Sequence, residues 1–151
     1  MDTIKELINI VGEMNVKTDQ IERLCFSRDM SVHEGVADGI VFAETTEEVS
    51  KILKLANDRE IKVTPRGSGT STTGAVLPCL GGIVLDLSRM NKIKEINLKD
   101  GYAVVEPGVI CQQLNNALAP TYFFPPDPGS AAMASIGGMV STNASGNRAI
   151  K

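Results

Sequence analysis

Apolar side chains in the first sixty residues follow two patterns, a helical period and an uninterrupted run, and each pattern predicts a different kind of element. Residues 3–14 place apolar positions three and four apart, which predicts a helix with one buried face. Residues 18–25 predict a second, shorter helix with Thr18 or Asp19 as its N-cap. The uninterrupted apolar run at residues 40–42 predicts a short buried strand.

A helix between two strands is predicted for residues 40–64. Thr45 has the side chain of an N-cap, and Glu48, three residues later, completes the pattern of a capping box. We expect the helix to end near Asn57, and residues 61–64 to form a strand that delivers a glycine-rich loop at its C-terminal end. This strand–helix–strand unit predicts a small pair of parallel strands. The helix side chains predicted to face inward are Val49, Ile52, Leu53, Leu55 and Ala56.

Beyond residue 82 the pattern changes from alternating helix and strand to local strand pairing. Residues 83–87 predict one more strand, and residues 93–97 and 102–106 predict a hairpin across a Lys-Asp-Gly turn. A further helix is predicted for residues 110–119. A β-α-β start followed by a hairpin indicates an α+β fold and not a doubly wound sheet.

The loop at residues 65–75, PRGSGTSTTGA, is the most distinctive polar segment, with three glycines and five hydroxyl side chains. Glycine allows left-handed backbone and a close approach to a ligand, so such a loop can present many backbone N–H groups in one concave turn. The guest expected for such a turn is a phosphate or a pyrophosphate. The alternative interpretation is a surface turn rich in glycine and serine.

Two familiar phosphate loops do not fit this segment. A Walker loop ends in Gly-Lys-Ser/Thr, but the last glycine, Gly74, is followed by Ala75. A Rossmann fingerprint needs a third glycine where Thr72 stands, and then a helix, but the proline and glycine residues that follow disfavour one. Asp86 has the spacing of the ribose-binding acid of that fold, but the intervening helix is missing.

A second segment of small residues, PPDPGSAAMASIGGMVSTNASG, occupies residues 125–146. Its three prolines stiffen the start of the segment. The small side chains that follow would let a flat ligand lie against the backbone, and the Ser and Asn side chains would bond its polar edges. Two such segments in one short chain predict a long cofactor with phosphates at its middle.

The composition excludes several other classes of protein. The chain is 42% hydrophobic and 22% charged with a net charge of −3, which is typical of a globular domain and not of a disordered chain or a polyanion binder. Aromatic residues make up 4%, with no tryptophan, which disfavours nucleic-acid stacking surfaces. The three cysteines form no Cys-x-x-Cys pair, and no transmembrane run or signal peptide is apparent. We therefore expect a cytoplasmic location, or one peripheral to the membrane through a partner subunit.

The chain resembles the N-terminal half of the PCMH-type (vanillyl-alcohol-oxidase-type) FAD-binding domain. The resemblance rests on five motifs in order and spacing, and covers about residues 20–148. Within that family it is most similar to the glycolate oxidase FAD subunit and the FAD-linked D-lactate dehydrogenases. The upstream stretches FSRD, GIVF and TEEV also fit. The five motifs are PRGSGTSTTGA, IVLDLSRMNKI, VEPGV, FPPDPGS and ASIGGMVSTNASG.

The resemblance implies an FAD-dependent oxidation of a 2-hydroxy acid, glycolate or D-lactate, to the 2-oxo acid by hydride transfer. Electrons would then pass to another subunit or carrier. Members with covalent flavin carry histidine at the position of Thr70, so a dissociable FAD is expected. The residues expected to wrap the pyrophosphate are Pro65, Arg66, Gly67, Ser68, Gly69, Thr70 and Ser71. Those expected to line the flavin side are Pro128, Gly129, Ser135, Gly137 and Gly138. Those expected to bond the ring, the ribityl chain or the phosphates are Thr142, Asn143 and Ser145.

Some interpretations remain open at this point. Arg66 either neutralises phosphate charge or is a solvated surface residue, and Asn143 either bonds the cofactor or caps a helix. Glu106 is expected to face water, and the lone His33 is expected at the surface, so neither a catalytic residue nor a metal site is assigned. The chain ends where the family's domain continues toward a substrate-capping domain, so we expect a truncated piece. The alternatives are a non-catalytic nucleotide- or phosphate-binding module and an interaction subunit of a larger complex.

Overall fold

The computed structural model describes residues 3–147 and divides them into two compact units, residues up to 89 and residues from 90. Residues 148–151, on which the expectation of a truncated domain partly rests, lie outside the described residues. Within the described part of the chain, no helix combines the length and the apolar character that a membrane span requires. The elements of the first unit are helices α1 (Thr3–Val11), α2 (Gln20–Cys25) and α3 (Thr46–Asp58), a 3-10 turn (Glu13–Asn15), and strands β1 (Val16–Lys17), β2 (Gly39–Phe42), β3 (Val63–Arg66) and β4 (Ile83–Asp86).

The sheet of the first unit has the strand order β1-β2-β4-β3. Strand β4 is parallel to both β2 and β3, and β1 is antiparallel to β2 at the other edge. The prediction that the two strands flanking α3 would form a pair was therefore wrong, because β4 lies between them. All four residues of β4 are buried, which suits the centre of a parallel sheet covered on both faces.

Side chains alternate between the two faces of this sheet and build two separate clusters. Val41 and Leu85 point to the face covered by α1 and α3, where Leu7 and Ile52 complete the larger cluster. Ile40, Phe42 and Val84 point to the opposite face, where Phe26 packs. The Phe26 and Phe42 rings meet edge to face, with centroids 5.8 Å apart.

Helix α3 begins and ends with recognisable capping geometry. The Thr45 hydroxyl accepts from the Glu48 amide at 3.1 Å, and the Glu48 carboxylate accepts from the Thr45 amide at 3.1 Å, which confirms the capping box. At the other end, the Ile61 amide donates to the Ala56 carbonyl at 2.8 Å across left-handed Glu60, a Schellman closure.

Predictions for the other elements of the first unit need small corrections. Helix α1 ends at Val11, because Gly12 takes a left-handed φ of 86°. Asp19, and not Thr18, caps α2, accepting from the Glu22 amide at 3.0 Å. Leu53 was predicted to face inward but is 46% exposed, because its position on α3 lies outside the stripe formed by Ile52 and Ala56.

The second unit consists of a hairpin and two short helices. Strands β5 (Ile93–Asn97) and β6 (Tyr102–Val105) pair antiparallel across the predicted turn, where Gly101 has a φ of 72°. Helix α4 (Cys111–Leu118) confirms the predicted helix within one residue at each end. Helix α5 (Ile136–Ser141), like β1 in the first unit, was not predicted. The core of this unit consists of Val109, Cys111, Leu114, Ala134, Ile136 and Met139, and the mixed architecture confirms the α+β fold class.

Replacing Thr45 with alanine is expected to lower the free energy of unfolding by about 1 kcal/mol, because the Glu48 amide loses its cap acceptor. The neighbouring Thr46→Ala is the matched control, since Thr46 is exposed at the first helical position and makes no cap bond. Urea denaturation of both variants measures the difference. Equal losses in the two variants would contradict the role given to Thr45.

Candidate functional site

The glycine-rich loop leaves the sheet where its parallel strands end. We call residues 67–74 the glycine loop; they follow β3 at the edge where β2 and β4 also terminate. Ligands of parallel sheets bind preferentially outside the carboxyl ends of the strands. The loop therefore starts at the position in this fold that favours a bound ligand.

Pro65 and Arg66 belong to β3 and not to the loop, since the strand runs two residues later than predicted. A proline fits here because β3 is an edge strand. The Lys62 and Arg66 carbonyls accept from the β4-side amides of Ile83 and Leu87 at 2.8 and 2.9 Å, so the even-numbered residues of β3 face β4. The nitrogen of Pro65, at an odd position, faces away from the sheet, where no amide hydrogen is needed.

The backbone of the glycine loop is left-handed at two glycines, with φ of 69° at Gly69 and 78° at Gly74. The Ser71 hydroxyl accepts from the Thr73 and Ala75 amides at 3.2 and 3.3 Å, which closes the second half of the loop. The amides of residues 67–72 donate to no other residue among those described. A run of N–H groups next to glycine turns is the donor set that an anion needs.

Strand register places Arg66 beside Asp86, the last residue of β4. Asp86 is only 3% exposed, and it accepts from the amide of Ser88 at 2.8 Å and from the Ser88 hydroxyl. Burial raises the pKa of Asp86, while Ser88 and the guanidinium groups of Arg66 and Arg89 oppose the rise. Asp86 is therefore a buried carboxylate whose partners are Ser88 and two arginines of the first unit.

In the second unit, the predicted site residues lie at the two ends of α5. Ser135 is its N-cap residue and is buried, and Gly137 and Gly138 lie in its first turn. The Gly137 amide donates to the Pro107 carbonyl at 2.8 Å. A Cβ on Gly137 would stand 2.6 Å from the Pro107 Cβ, so this glycine is required by a close backbone contact whatever it does for a ligand.

The residues at the end of α5 form a Schellman closure. Asn143 has a left-handed φ of 49°, its amide donates to the Val140 carbonyl at 3.2 Å, and the Ala144 amide donates to the Met139 carbonyl at 2.8 Å. The backbone of Asn143 thus acts as a helix cap, at the C-terminal end of the helix. The Thr142 hydroxyl bonds the Gly138 carbonyl at 3.0 Å.

The remaining predicted residues of this segment lie in turns at the surface. Pro128 opens a turn in which its carbonyl accepts from the Ala131 amide at 2.8 Å, and the adjacent Gly129 is exposed with open space where a Cβ would stand. Ser145 is exposed beyond α5. The neighbouring Gly146 lies so close to the Asp127 carbonyl that no side chain would fit there.

Two further expectations had different outcomes. Glu106 was expected to face water, but it is buried and accepts from the Lys92 amide at 2.9 Å while Lys94 approaches it at 3.3 Å. The Lys92 hydrogen bond is the main cause of a lowered pKa of Glu106. His33 is exposed as expected, and the described residues contain no cluster of side chains suited to a metal ion.

Comparison with known proteins decides the family. A family model described as "FAD binding domain" matches residues 37–151, which includes both small-residue segments. The chain belongs to the PCMH-type FAD-binding domains. It is therefore an FAD-binding domain, and its cofactor is FAD.

Individual proteins that are similar to this FAD-binding domain support the family assignment. The glycolate oxidase subunit GlcD of Bacillus subtilis is 34% identical over 99% of this chain and 32% of its own length. A mitochondrial D-lactate dehydrogenase (cytochrome) of Arabidopsis thaliana is 40% identical over 97% of this chain and 27% of its own length. The crystal structure of p-cresol methylhydroxylase with substrate bound superposes with a TM-score of 0.80 at 25% identity, covering 91% of this chain and 28% of that one. The chain thus spans about a third or less of the proteins that it matches.

Gly137→Ala is expected to destabilise the FAD-binding domain by about 1–3 kcal/mol, because the added methyl group overlaps Pro107. Gly129→Ala is the matched control from the same segment, and its effect should stay within about 0.5 kcal/mol because the added methyl group meets nothing. Denaturant unfolding curves compare the two variants. If both changes cost the same, the contact with Pro107 does not explain why residue 137 is glycine.

Proposed function

We propose that this domain is the FAD-binding portion of a flavoenzyme that oxidises a 2-hydroxy acid, glycolate or D-lactate, to the corresponding 2-oxo acid. The observation that carries the proposal is the glycine loop: successive backbone amides without a described acceptor, placed at the carboxyl edge of a parallel sheet in a member of an FAD-binding family. The named relatives, a glycolate oxidase subunit and a D-lactate dehydrogenase, support the substrate class.

In this proposal the glycine loop binds the pyrophosphate of FAD. The amides of residues 67–72 donate to the phosphate oxygens, and the exposed Ser68 hydroxyl and the half-buried Thr70 hydroxyl add two donors. The structure fits such a guest because Gly69 and Gly74 take left-handed φ values that other residues adopt at a cost. Threonine at position 70 offers no imidazole for a covalent flavin link, so the cofactor is held by noncovalent contacts alone.

The segment from Pro128 to Ser145 serves the remainder of the same cofactor in this proposal. Its small residues, Gly129 and Gly138 among them, leave backbone accessible to a flat ring, and the exposed Ser145 can donate a hydrogen bond. When bound, FAD supplies an acceptor for the hydride that the 2-hydroxy acid loses. The protein residues named here bind and orient the cofactor, and none of them is proposed as a catalytic acid or base.

The full chain is expected to bind FAD reversibly, with Gly69→Ala weakening the affinity at least about tenfold, since an L-residue at Gly69 is strained in the left-handed region and would reshape the loop. Gly12→Ala is the matched control: Gly12 also has a positive φ, of 86°, but stands in open space after α1. Titration followed by flavin fluorescence gives both affinities, and acid precipitation followed by filtration should release all flavin from the protein.

Two results of that titration would contradict the proposed cofactor site. One is an unmodified chain that does not bind FAD. The other is equal weakening by Gly69→Ala and Gly12→Ala, because the effect would then come from loss of fold and not from the glycine loop. Binding of ADP with no preference for FAD would favour the non-catalytic nucleotide-binding module instead.

The substrate class is tested on the FAD-loaded flavoenzyme that contains this domain. Under anaerobic conditions, glycolate or D-lactate is expected to bleach the visible flavin absorbance, with one 2-oxo acid formed per flavin reduced. Propionate is the matched control, because its C2 carries hydrogens but no hydroxyl oxygen that could become the carbonyl of a 2-oxo acid. Bleaching by neither hydroxy acid would contradict the proposed substrates while leaving the FAD site intact.

A further inference from the structure

The glycine loop has little within itself to fix its shape, since among the described residues its side chains accept from nearby amides only at Ser71, which bonds the Thr73 and Ala75 amides. Its side chains are hydrogen, hydroxymethyl and hydroxyethyl groups, which bury little apolar surface, and glycine loses more backbone entropy on ordering than any other residue. A loop that must present amides in a fixed arrangement therefore needs support from a neighbouring segment. In this structure the neighbour is residues 26–31, which we call the backing segment.

The Arg66 side chain connects the backing segment to the end of β3. Its Nη2 donates to the Arg28 carbonyl at 2.9 Å, its Nη1 lies 3.5 Å from the Phe26 carbonyl, and its Cζ lies 5.2 Å from the centre of the Phe26 ring. A planar guanidinium suits this combination of two carbonyls and one aromatic face. The side chain is thus engaged with the backing segment, through backbone acceptors that no substitution at Phe26 or Arg28 would remove.

The glycine loop rests directly on this guanidinium. A Cβ built on Gly69 would overlap the Arg66 Nη2 and come within 2.8 Å of its Cζ. Two residues further on, the Ser71 carbonyl accepts from the Met30 amide at 2.9 Å. The loop therefore contacts both the Arg66 side chain and the backing segment that this side chain engages.

Asp29 completes the contact from the backing segment. Its Oδ1 accepts from the Ser31 amide at 2.8 Å, and its Oδ2 is buried with no partner at hydrogen-bonding geometry among the described residues. Burial raises the pKa of Asp29, but Ser31 and the nearby Gly74 amide and Ser71 hydroxyl outweigh that effect and keep the pKa below its usual range. The ionised carboxylate thus faces the second half of the glycine loop.

The charge of Arg66 already has partners within the first unit. Arg66 is half-buried, and burial lowers its pKa while the carboxylates of Asp86 and Asp29 oppose that shift. A guanidinium balanced by two carboxylates has less charge to offer an incoming anion than its formal value suggests. Its geometry and its charge environment both favour support of the loop over direct contact with a phosphate.

We propose that Arg66 and Asp29 are positioning residues for the FAD pyrophosphate, holding the backing segment against the glycine loop so that the loop amides face the cofactor. The inference rests on the proposed role of the glycine loop. It differs from both sequence-based alternatives for Arg66, which were neutralisation of phosphate charge and a solvated surface position. It also adds Asp29, an acidic residue that charge complementarity alone would keep away from an anion site.

A positioning role and direct contact with the phosphate predict opposite patterns of FAD affinity for variants of Arg66 and Asp29. If the residues position the loop, Arg66→Lys and Arg66→Met both weaken FAD binding at least about tenfold, because an ammonium cannot reach both carbonyls and stack on Phe26. Asp29→Ala also weakens binding, although it removes a negative charge, and Asp29→Asn, which keeps one acceptor oxygen, restores part of the loss. Arg28→Met, which deletes an exposed charge next to the same loop, is the matched control and should change the affinity by no more than about twofold.

These affinities are measured by FAD titration of the full chain at low and high ionic strength, under conditions where urea unfolding shows each variant to be folded. A positioning role leaves the salt dependence of binding unchanged in Arg66→Met. Direct phosphate contact would reduce the salt dependence of FAD binding in Arg66→Met and would leave the FAD affinity of Arg66→Lys close to that of the unmodified chain. It would also make Asp29→Ala bind FAD more tightly. Any of these results overturns the inference. Loss of stability with unchanged FAD affinity would also overturn it, since the residues would then be merely structural.

A second readout needs no cofactor and covers the case in which an Arg66 variant is marginally folded. Hydrogen exchange at the Met30 amide, which bonds the Ser71 carbonyl, should accelerate at least about tenfold in Asp29→Ala and not in Arg28→Met. Unchanged exchange would show that the backing segment stays on the loop without Asp29, and would overturn its role. If the unmodified chain failed to bind FAD, the proposed function would fall, while this exchange measurement would still judge the contact.

Discussion

A loop built from glycine and short hydroxyl side chains takes its shape from what surrounds it. In this FAD-binding domain two neighbours shape the glycine loop: the end of a buried parallel sheet, and the backing segment that bonds Arg66 and Ser71. Arg66 belongs to both, because its backbone ends β3 and its side chain bonds the carbonyls of residues 26 and 28. The order of the glycine loop therefore depends on a side chain whose hydrogen bonds go to protein and whose charge is offset by the carboxylates of Asp86 and Asp29.

Contacts with neighbouring backbone also shape the other small-residue segment, residues 125–146. Gly137 and Gly138 are poor helix formers, yet they begin α5, because the Ile136 and Gly137 amides find acceptors in the Val109 and Pro107 carbonyls. The close approach to Pro107 leaves no room for a side chain. The sequence suggests a ligand contact at Gly137, but the close contact with Pro107 is already sufficient to require glycine there. Any contact with FAD comes in addition.

Local signals in the sequence were sufficient for much of this fold. The Thr45–Glu48 capping box and the glycine turn of the β5–β6 hairpin depend on residues three or four apart, and both are present. The larger errors concern contacts between residues that lie far apart in the sequence. Nothing near β4 indicates that it separates β2 from β3, nothing near Glu106 indicates that Lys92 and Lys94 will enclose it, and α5 forms through carbonyls some thirty residues upstream. For the candidate site, composition located both segments, whereas the support that Asp29 gives the loop could be seen only in three dimensions.

The order of the parallel strands has a consequence for how the chain is made. On a ribosome, β2 and β3 emerge before β4, and neither is the other's neighbour in the finished sheet. Until residues 83–86 appear, the nascent polypeptide carries two strands whose shared partner has not been synthesised, and unpaired edges of that kind attract foreign chains. The interval is short in residues, but it is the stage at which a holdase chaperone would have the most to protect.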